Sequence, residues 1–434
     1  MTAVVIVAEL GGSSSRADSD AAVREGRYRL VIVAITTVAA VWRFGYLVAT
    51  KWNQQLLFND SLYYSSQAYE NAHGNWFRDF LGAHPGAEHA PLTSIILTPA
   101  SLLSHHEFWQ RATNTVVGIA VVPLIALLAR RVAGRRVAVL AAGIAALYPN
   151  LWMNDSLVMA ESVSTLLVIV ALLVAVRYRE RLDIRSAVMC GAVVGLAALA
   201  RSELLILAPV FALLGVRQRG VRASWRAAAV LMITALGVIA PWVGYNVPRF
   251  DHLVLISTNE GGALRGANCD DTYSGPAQGG WSVLCVVDDI DRPAEDASGR
   301  AVRLRKEALS YMRHHLGQLP DVVGARLLRS VDLYGVNDLV RFDVGEERAR
   351  WASWAGIVSF WMLAPWALIG WRRRPARTGL ILGAPVVGVL ATTVVFYGAH
   401  RLRTPMEPVV VICAAIALCR FSPIQRLIDR QFPS

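Results

Sequence analysis

Charged residues are scarce in this chain: only 17% of its 434 residues are Asp, Glu, Lys or Arg, whereas a soluble domain usually carries about 25%. Hydrophobic residues make up 55% of the chain, and the mean hydropathy is +0.42. Apolar residues therefore exceed what a soluble core needs, which argues against an ordinary soluble domain and favours an integral membrane protein.

Familiar nucleotide and metal motifs are also missing. The sequence contains no Walker A motif, no GxGxxG after a predicted strand and no HExxH. These motifs supply the phosphate cradle of ATPases, the dinucleotide turn and the zinc ligands of metalloproteases. ATP-driven transport and zinc proteolysis therefore lose their main support.

The apolar residues fall into blocks that can cross about 30 Å of hydrocarbon. Irregular backbone in lipid would leave its polar groups unpaired, so the blocks are predicted to be helices. We expect an all-α polytopic membrane protein with about 10 spans, within a range of roughly 9–12. A shorter apolar stretch, 91–104, is expected to be re-entrant or interfacial. The predicted spans are 30–49, 111–129, 137–151, 162–176, 186–200, 204–216, 227–244, 353–371, 378–397 and 408–419.

Arginines are concentrated in every second connecting segment. By the positive-inside rule these segments are cytoplasmic, and both termini lie on the cytoplasmic side. The formal net charge of +11 is then a topology signal and an affinity for anionic membrane lipids, and nucleic acid is not an expected partner. The arginine-rich segments are 16–29, 130–136, 177–185, 217–226, 372–377 and 420–430.

The predicted organisation has five parts. They are a disordered cytoplasmic tail (1–28), an N-terminal transmembrane module (29–244) with a first extracytoplasmic loop (50–110), a large extracytoplasmic loop (245–352), C-terminal transmembrane helices (353–420) and a cytoplasmic tail (421–434). Residues 300–316 of the large loop form a basic amphipathic segment. This segment either lies in the membrane interface or packs on its own loop.

The five cysteines fall into two groups. Cys190, Cys413 and Cys419 lie in apolar spans and are expected to be inert core residues. Cys269 and Cys285 lie in the large outer loop, where oxidation is permitted, and a disulfide between them is predicted. Zinc binding there is not expected, because no second cysteine pair or histidine stands at the usual spacing.

Asp60 is the first candidate for chemistry, just after the first span. A carboxylate at the lip of a membrane cavity is partly desolvated, which raises its pKa and suits a general base. The alternative is ordinary helix capping, since Asn-Asp-Ser is a capping sequence. The tetrapeptide Asn-Asp-Ser-Leu recurs around Asp155, so each copy places a carboxylate at the outer surface.

Three further polar residues interrupt apolar surroundings. Glu161 opens a span, where the helix N-terminus stabilises its charge, although acids at the membrane edge are often functional. His89 begins the short apolar stretch 91–104 and has a structural role as its simplest interpretation. Arg201 stands beside Glu203 in an apolar hairpin, and the two could simply pair.

His400, Arg401, Arg403 and Glu407 form the densest polar cluster near a predicted span. Basic residues on the outer side run against the positive-inside trend, so an anion is expected to hold them there. Phosphate is the natural candidate, because arginine presents a fork of donors to its oxygens. Anchoring by lipid headgroups is the alternative.

The order of these motifs resembles a known superfamily. Asp60 with the following tyrosines comes first, followed by His89-Ala90-Pro91-Leu92, a Tyr-Pro turn leading to Glu161, GLAALARSE at 195–203, APW at 240–242, and HRLRTPMEP at 400–408. Together, over roughly 40–420, they resemble the GT-C membrane glycosyltransferases, in particular the dolichyl-phosphate-mannose protein mannosyltransferase and lipid A aminoarabinose transferase-like branch. Similar enzymes often read His-Pro-Pro-Leu, so Ala90 leaves the role of His89 open.

The resemblance implies a GT-C-like bundle whose extracytoplasmic loops bear juxtamembrane helices. It also implies a sugar donor linked to a polyprenyl phosphate, and an acceptor hydroxyl on a glycan, lipid or protein. Transfer would take place on the extracytoplasmic face and invert the anomeric centre. The partners would be this donor, the acceptor and membrane lipids. No cofactor is implied with certainty, and a divalent metal is left open.

The resemblance also assigns roles to individual residues. Asp60 would be the base or would orient the acceptor, and Arg401 and Arg403 would hold the leaving phosphate. The segment around Cys269 and Cys285 would form part of an outer lid. The remaining substrate-binding residues would be Tyr63, Tyr64, His89, Asp155, Glu161, Arg201 and His400.

Two other functions fit the same sequence. A flippase or transporter of lipid-linked sugars would share the helical bundle and a basic lipid site, but would not need Asp60 as a base. A non-catalytic scaffold in envelope assembly would need neither feature. Release of polyprenyl phosphate from a sugar lipid distinguishes the transferase from both.

Overall fold

The computed structural model describes residues 2–79, 84–287 and 295–421, and these residues fold into helices with no strand among them. The tail predicted for 421–434 therefore lies outside the described residues, apart from Phe421. The first helices are α1 (Thr2–Lys51), α2 (Asp60–Ala72), α3 (Leu92–Leu97), α4 (His106–Ala133), α5 (Arg135–Leu147), α6 (Pro149–Asp155), α7 (Glu161–Arg181), α8 (Ile184–Ala200), α9 (Leu207–Arg219) and α10 (Val221–Asn246).

The second half contains nine more helices and begins with the large loop. Four short 3₁₀ segments, Thr98–Leu102, Ser202–Ile206, Ala376–Thr378 and His400–Met406, join some of the helices among the described residues. The nine helices are α11 (Glu260–Gly266), α12 (Asp270–Tyr273), α13 (Leu284–Val287), α14 (Ala297–His314), α15 (Leu319–Ser330), α16 (Val336–Gly345), α17 (Arg350–Arg373), α18 (Gly379–Val395) and α19 (Glu407–Leu418).

Six helical stretches of the described chain are long and apolar enough to cross a membrane. They are Ala22–Lys51, His106–Ala133, Glu161–Arg181, Ser224–Asn246, Arg350–Arg373 and Ala376–Val395. A seventh span results if α5 and α6, which meet at a bend of 52°, are counted together. The chain is thus an all-α polytopic membrane protein.

The other predicted spans are also helical, but shorter. The predicted blocks 186–200, 204–216 and 408–419 correspond to α8, α9 and α19. Their lengths of 17, 13 and 12 residues fall at or below the roughly 17 residues that a span needs. The stretch 91–104 contains the short helix Leu92–Leu102, whose roughly 16 Å covers about half of the hydrocarbon core.

The first helix is longer than its predicted span. It begins at Thr2, so it includes residues 2–28, which the sequence analysis assigns to a disordered tail. Its membrane-length part is Ala22–Lys51. Near the start of that part Glu25 pairs with Arg130 at the end of α4, with 2.9 Å between Oε2 and Nη2.

Glycines allow the helices to approach closely. A Cβ added to Gly191 on α8 would lie 2.3 Å from the Leu231 oxygen on α10, and one added to Gly370 on α17 would lie 1.7 Å from the Cys413 oxygen on α19. Small residues at helix interfaces are the usual basis of packing in lipid, because backbones can then approach within van der Waals contact. Together these helices form an alanine-rich core.

The large loop folds against itself. A disulfide joins Cys269 to Cys285, with 6.3 Å between their Cα atoms. The amphipathic helix α14 buries Ala301, Leu304 and Ala308 and approaches α11 so closely that a Cβ on Gly261 would lie 2.1 Å from the Ala301 oxygen. Of the two positions open to this segment, the structure shows packing on its own loop.

The loop and five helix ends meet at one end of the bundle. The end of α1, the starts of α7, α17 and α19, and the end of α8 all contribute polar residues that contact each other there. The opposite ends of α4, α7 and α17 carry the arginine-rich segments, with Arg130, Arg181 and Arg373 in their last turns. The two ends of the bundle therefore differ in charge, and the polar cluster described next lies at the end away from those arginines.

Candidate active site

Asp60 is the first residue of α2, the helix that follows α1 after a short connection. Capping of this helix belongs to Asn59, whose side chain accepts a hydrogen bond from the Ser61 backbone at 2.7 Å. The Asp60 carboxylate is therefore free of capping. Its Oδ2 lies 2.6 Å from Nη2 of Arg401, and its Oδ1 lies 3.5 Å from Nε2 of His89.

The charge of Asp60 is stabilised by these partners. Burial raises the pKa of Asp60, but Arg401 and His89 outweigh it and hold the pKa well below its usual range. The expectation that desolvation would raise this pKa is thus reversed, because opposite charges at hydrogen-bonding distance favour the ionised form. About 30% of the Asp60 side chain is exposed, so an ionised carboxylate is presented to solvent.

Arg401 is the centre of the cluster. Besides Asp60, it contacts Glu161 with 3.3 Å between Nε and Oε1, and it pairs with Glu346 through Nη1. Its side chain is only 13% exposed. One guanidinium thus connects the starts of α2, α7 and α17, since Glu346 lies just before α17.

His89 is the second basic side chain beside Asp60, and two tyrosines pack against it. The Tyr64 ring stacks on the His89 ring with 4.9 Å between ring centres, and Tyr63 meets it edge-on at 5.0 Å. The Tyr63 hydroxyl accepts from the Gln67 amide at 2.8 Å and from the Glu88 backbone at 3.0 Å. Both tyrosines are buried. The resemblance implies that they bind substrate, but the structure places them behind His89, in contact with its ring.

Glu161 and Arg201 extend the cluster towards α8. Arg201 Nη1 lies 3.4 Å from Glu161 Oε1, and Arg201 Nε donates to Glu203 at 2.6 Å. The local pairing of Arg201 with Glu203 therefore exists, but the same arginine also reaches Glu161. Glu161 is thus shared by Arg201 and Arg401, and its buried Oε2 has no hydrogen-bond partner among the residues that the structure describes.

Asp155 lies apart from this cluster. Its Oδ2 accepts from Arg43 at 2.6 Å and its Oδ1 from Ser162 at 2.7 Å. A Cβ on Gly118 would lie 2.0 Å from the Asp155 carboxyl carbon, so α4 packs directly against the Asp155 side chain. Asp155 and Glu161 border one shared cavity of about 10 Å³, which has room for about one water. The position of Asp155 fits helix packing better than contact with a substrate.

Arg403 and His400 belong to a second, buried cluster. Arg403 donates to Glu407 at 2.6 Å and to Asp332 at 2.9 Å, and none of its surface is exposed. His400 bridges Asp332 and Asp343, with nitrogen–oxygen distances of 2.9 and 2.8 Å. The predicted role of Arg403 as a phosphate ligand does not fit this position. Two carboxylates already pair with its guanidinium, and the side chain is buried where a polyprenyl-phosphate donor has no access.

The large loop supplies residues that the sequence analysis missed. Glu346 pairs with Arg401, and Arg348 joins Glu346 to Asp343 and to Asn154 of α6, the last at 3.0 Å. Asp343, Glu346 and Arg348 all lie in the run DVGEER (343–348), shortly before α17. The sequence did contain a signal for these residues, because acidic side chains next to an apolar span are energetically costly unless they are paired.

The carboxylates of both clusters are engaged by arginine or histidine. Within residues 2–79, 84–287 and 295–421, no three His, Cys, Asp or Glu side chains come together in a way that could hold a metal ion. Both oxygens of Asp60 already face basic side chains, Arg401 and His89, so this site does not fit a divalent metal as it stands. No step below is routed through one.

A family model matches part of the chain. Residues 88–245 match the family described as dolichyl-phosphate-mannose-protein mannosyltransferase. The match begins beside His89 and contains Glu161 and Arg201, but it ends before the large loop. No curated protein matches the sequence.

Solved structures resemble the whole bundle. The archaeal oligosaccharyltransferase AglB from Archaeoglobus fulgidus, in complex with an inhibitory peptide and a dolichol-phosphate, superposes with a TM-score of 0.56 at 14% identity, over 94% of this chain and 52% of AglB. ArnT from Cupriavidus metallidurans bound to undecaprenyl phosphate gives 0.55 at 16% identity, over 93% of this chain and 62% of ArnT. An AglB structure in complex with zinc and sulfate gives 0.53 at 16% identity, over 93% and 50%.

These similarities identify the fold. The chain has the architecture of the GT-C superfamily of membrane glycosyltransferases, as the motif order predicts. It spans about half to three-fifths of the length of the solved structures that it matches.

Proposed function

We propose that this chain is a membrane glycosyltransferase that moves a sugar from a polyprenyl-phosphate donor to an acceptor hydroxyl. The observation that carries the proposal is the Asp60 carboxylate, held 2.6 Å from Arg401 and 3.5 Å from His89 at one end of a GT-C bundle. This arrangement pairs a proton acceptor with a cation that can receive a phosphate.

Arg401 is the proposed phosphate ligand. It is the arginine of HRLRTPMEP that faces the Asp60 cluster, and its side chain is 13% exposed, whereas Arg403 is sealed. A guanidinium can bind two phosphate oxygens at once, which suits a monophosphate leaving group. Dolichol-phosphate and undecaprenyl phosphate occupy the similar AglB and ArnT structures, which supports a donor of this class.

The same arginine couples donor binding to the basicity of Asp60. While Arg401 is paired with Asp60, the pKa of that carboxyl is held well below its usual range, so the carboxylate is a weak proton acceptor. A phosphate that draws Arg401 away removes the main opposing charge, which raises the pKa. Asp60 then becomes a stronger base only when a donor is present, and unproductive proton uptake is limited in its absence.

The proposed reaction is a single displacement. The acceptor oxygen forms a bond to the anomeric carbon as the bond from that carbon to the phosphate oxygen breaks. The acceptor proton passes to an Asp60 oxygen, and the electron pair leaves with the polyprenyl phosphate. Attack from the face opposite the phosphate inverts the anomeric centre. Arg401 stabilises the charge that develops on the leaving group, the kind of effect that often contributes most to catalysis.

The extracytoplasmic face is the proposed side of reaction. The arginine-rich ends of α4, α7 and α17 lie opposite the Asp60 cluster, and basic ends normally face the cytoplasm. The Cys269–Cys285 disulfide lies in the loop on the Asp60 side of the bundle, which fits an oxidising compartment. Both termini are then cytoplasmic, and the large loop lies on the side from which the acceptor would arrive.

The test is transfer by the purified full chain. Protein in lipid nanodiscs is incubated with radiolabelled polyprenyl-phosphate sugars and envelope extract, and polyprenyl phosphate and labelled product are separated by chromatography. The proposal expects release of polyprenyl phosphate together with labelled acceptor, and no release with Asp60→Asn. Intact sugar lipid that changes leaflet in proteoliposomes would instead identify a flippase.

A further inference from the structure

The last residue of α16 and the three residues that follow it, Gly345–Arg348, connect the large loop to the rest of the site; we refer to them as the strap. Within it, the Glu347 side chain is fully buried against α4, where its Oε2 accepts from Arg111 at 2.8 Å. Its Oε1 accepts from the Leu57 backbone at 3.0 Å, and its carbonyl oxygen accepts from Lys51. Glu347 thus joins the strap to α1, to α4 and to the connection that leads to Asp60.

The backbone of Glu347 is strained. Its φ is +70°, in the left-handed region that non-glycine residues rarely occupy. Such a conformation persists only where surrounding contacts hold it, and it is found preferentially at functional sites. Part of the restraint is the ordinary termination of α16, in which the Arg348 backbone donates to the Asp343 oxygen at 2.9 Å, and the contacts to Lys51 and Arg111 add to it.

The two residues that precede Glu347 reach the proposed catalytic pair. Glu346 pairs with Arg401. The Gly345 carbonyl accepts from the Asn59 side chain at 3.0 Å, and Asn59 caps the helix that Asp60 begins. The strap therefore holds Arg401 through Glu346 and the support of Asp60 through Gly345, and the strained Glu347 follows directly after both.

We propose that Glu347 is a positioning residue for the Asp60–Arg401 pair, acting through Glu346 on Arg401 and through Leu57 and Asn59 on Asp60. It touches neither Asp60 nor Arg401 itself. This assignment rests on the proposed function for its catalytic meaning, but the mechanical link between the strap and the two residues is independent of that function. Small displacements at such a pair are costly, since catalysis depends on reacting groups held at close range.

The test compares Glu347→Gln and Glu346→Gln with Asp338→Asn in full-length protein in nanodiscs. Glutamine keeps the size of Glu347 but places an amide or an uncharged oxygen against Arg111. Asp338 is a matched control, because it pairs with Arg329 at 2.5 Å in the same loop and contacts neither the strap nor Asp60.

Two readouts are measured for each variant. Hydrogen–deuterium exchange follows segments 52–60 and 399–406, which carry Asp60 and Arg401. We expect Glu347→Gln to accelerate exchange in both segments. Transfer kinetics should show kcat reduced at least tenfold, with the donor KM changed less than twofold. The double variant should be no slower than the slower single variant, because the two residues act through one connection.

The outcomes separate the inference from the proposed function. Exchange that rises only within the strap, or kcat per folded protein within twofold of wild type, would overturn the positioning role. An equal loss in Asp338→Asn would overturn it as well, since a general loosening of the loop would then explain the effect. Wild-type protein that transfers no sugar would reject the proposed function, while the exchange measurement would still decide whether Glu347 orders both segments.

Discussion

Arg401 holds Asp60 with 2.6 Å between Nη2 and Oδ2, and the same guanidinium also contacts Glu161 and Glu346. Each of these carboxylates also has a second basic partner, since His89 faces Asp60, Arg201 faces Glu161 and Arg348 faces Glu346, and the Arg401 guanidinium is already occupied. An incoming phosphate must therefore displace at least one of these carboxylates to form a bidentate contact. Under the proposed function, donor binding is thus an exchange of anions on Arg401.

Asp60→Asn should abolish sugar transfer while the protein stays folded. The amide keeps the shape of the side chain, but it cannot accept the proton of the acceptor hydroxyl. General base catalysis is commonly worth 10²–10⁴-fold, so a loss of about that size is expected in initial rates. Capping is unaffected, because Asn59 provides it. Near-wild-type transfer by this variant would reject the base assignment.

Asp155→Asn is the companion variant, and it should act on stability. Asp155 is buried against Arg43 at 2.6 Å, and breaking a buried pair by neutralising one partner commonly costs roughly 3–5 kcal/mol. The expected result is a lower midpoint of thermal unfolding, with kcat per folded protein close to wild type. A rate loss without a stability loss would return Asp155 to the substrate site.

Lysine substitutions should distinguish Arg401 from Arg403. In Arg401→Lys, the affinity for polyprenyl phosphate should fall about 10- to 100-fold, because lysine keeps the charge but lacks the fork, and a charged hydrogen bond contributes about 1.5–3 kcal/mol. In Arg403→Lys, donor affinity should be unchanged and thermal stability reduced, since Arg403 bonds only to buried protein groups. Binding measured by tryptophan quenching, alongside thermal unfolding, decides between these patterns. Equal loss of donor affinity in both variants would contradict the division of roles.

The cluster around His400 should make stability depend on pH. Burial lowers the pKa of His400, but Asp343 and Asp332 outweigh it and raise the pKa to about 9. Because the folded pKa lies above the unfolded value of about 6.5, this stabilisation is complete below about 6.5 and is lost as the pH rises through about 9. The loss should be on the order of 3 kcal/mol.

On the acid side, the carboxylates of the same cluster set the limit. Burial raises the pKa of Asp343, but His400 and Arg348 lower it to about 2, so its contribution is lost as pH falls towards that value. Stability in nanodiscs should therefore be greatest between roughly pH 4 and 6.5. His400→Gln should flatten the alkaline limb, and an unchanged alkaline limb in this variant would assign the effect to another group.

The loop disulfide should stabilise the region over the site more than the bundle. A bridge across 16 positions is worth about 3 kcal/mol in the chain-entropy model. Reduction of wild-type protein should speed proteolysis within 260–287 and leave the membrane helices resistant. The Cys269→Ser/Cys285→Ser variant should already be sensitive and should not respond to reductant. Non-reducing mass spectrometry that finds both thiols free in oxidised protein would contradict the bond.

Orientation can be tested by thiol labelling in intact cells. The native cysteines give little background, because Cys190, Cys413 and Cys419 are buried and the other two are bonded. We expect a membrane-impermeant reagent to label cysteine introduced at the exposed positions His73 and His314, but not at Arg181 or Arg372. The reverse pattern would place the Asp60 cluster on the cytoplasmic side.

The fold was predictable from the sequence, and several residues of the Asp60 cluster were singled out there one by one. Apolar blocks indicate helices in lipid, and the motif order indicates the GT-C architecture. Asp60, Glu161 and Arg401 were identified separately, each as a polar residue next to an apolar block. Their mutual contact was not predictable, because it depends on how distant helices pack.

The contrast between Arg401 and Arg403 shows where sequence patterns stop. The two residues lie in one 3₁₀ segment, His400–Met406. With three residues per turn, positions two apart point in different directions, so only one of them can face Asp60. The motif alone offers no way to choose, since both arginines have the same local chemistry. Glu346 and Glu347 were missed because they lie in a loop whose path the sequence does not specify.

The pairing of Asp60 with Arg401 also constrains how the protein is made. The two residues lie 341 positions apart, and chains are synthesised at about 5–20 residues per second. Asp60 therefore leaves the ribosome at least about 17 seconds before its partner at these rates. During that interval the nascent helices must insert before the carboxylate can pair with Arg401. The Asp60–Arg401 contact therefore forms late in assembly. Variants that weaken this contact should be degraded in larger amounts during biosynthesis.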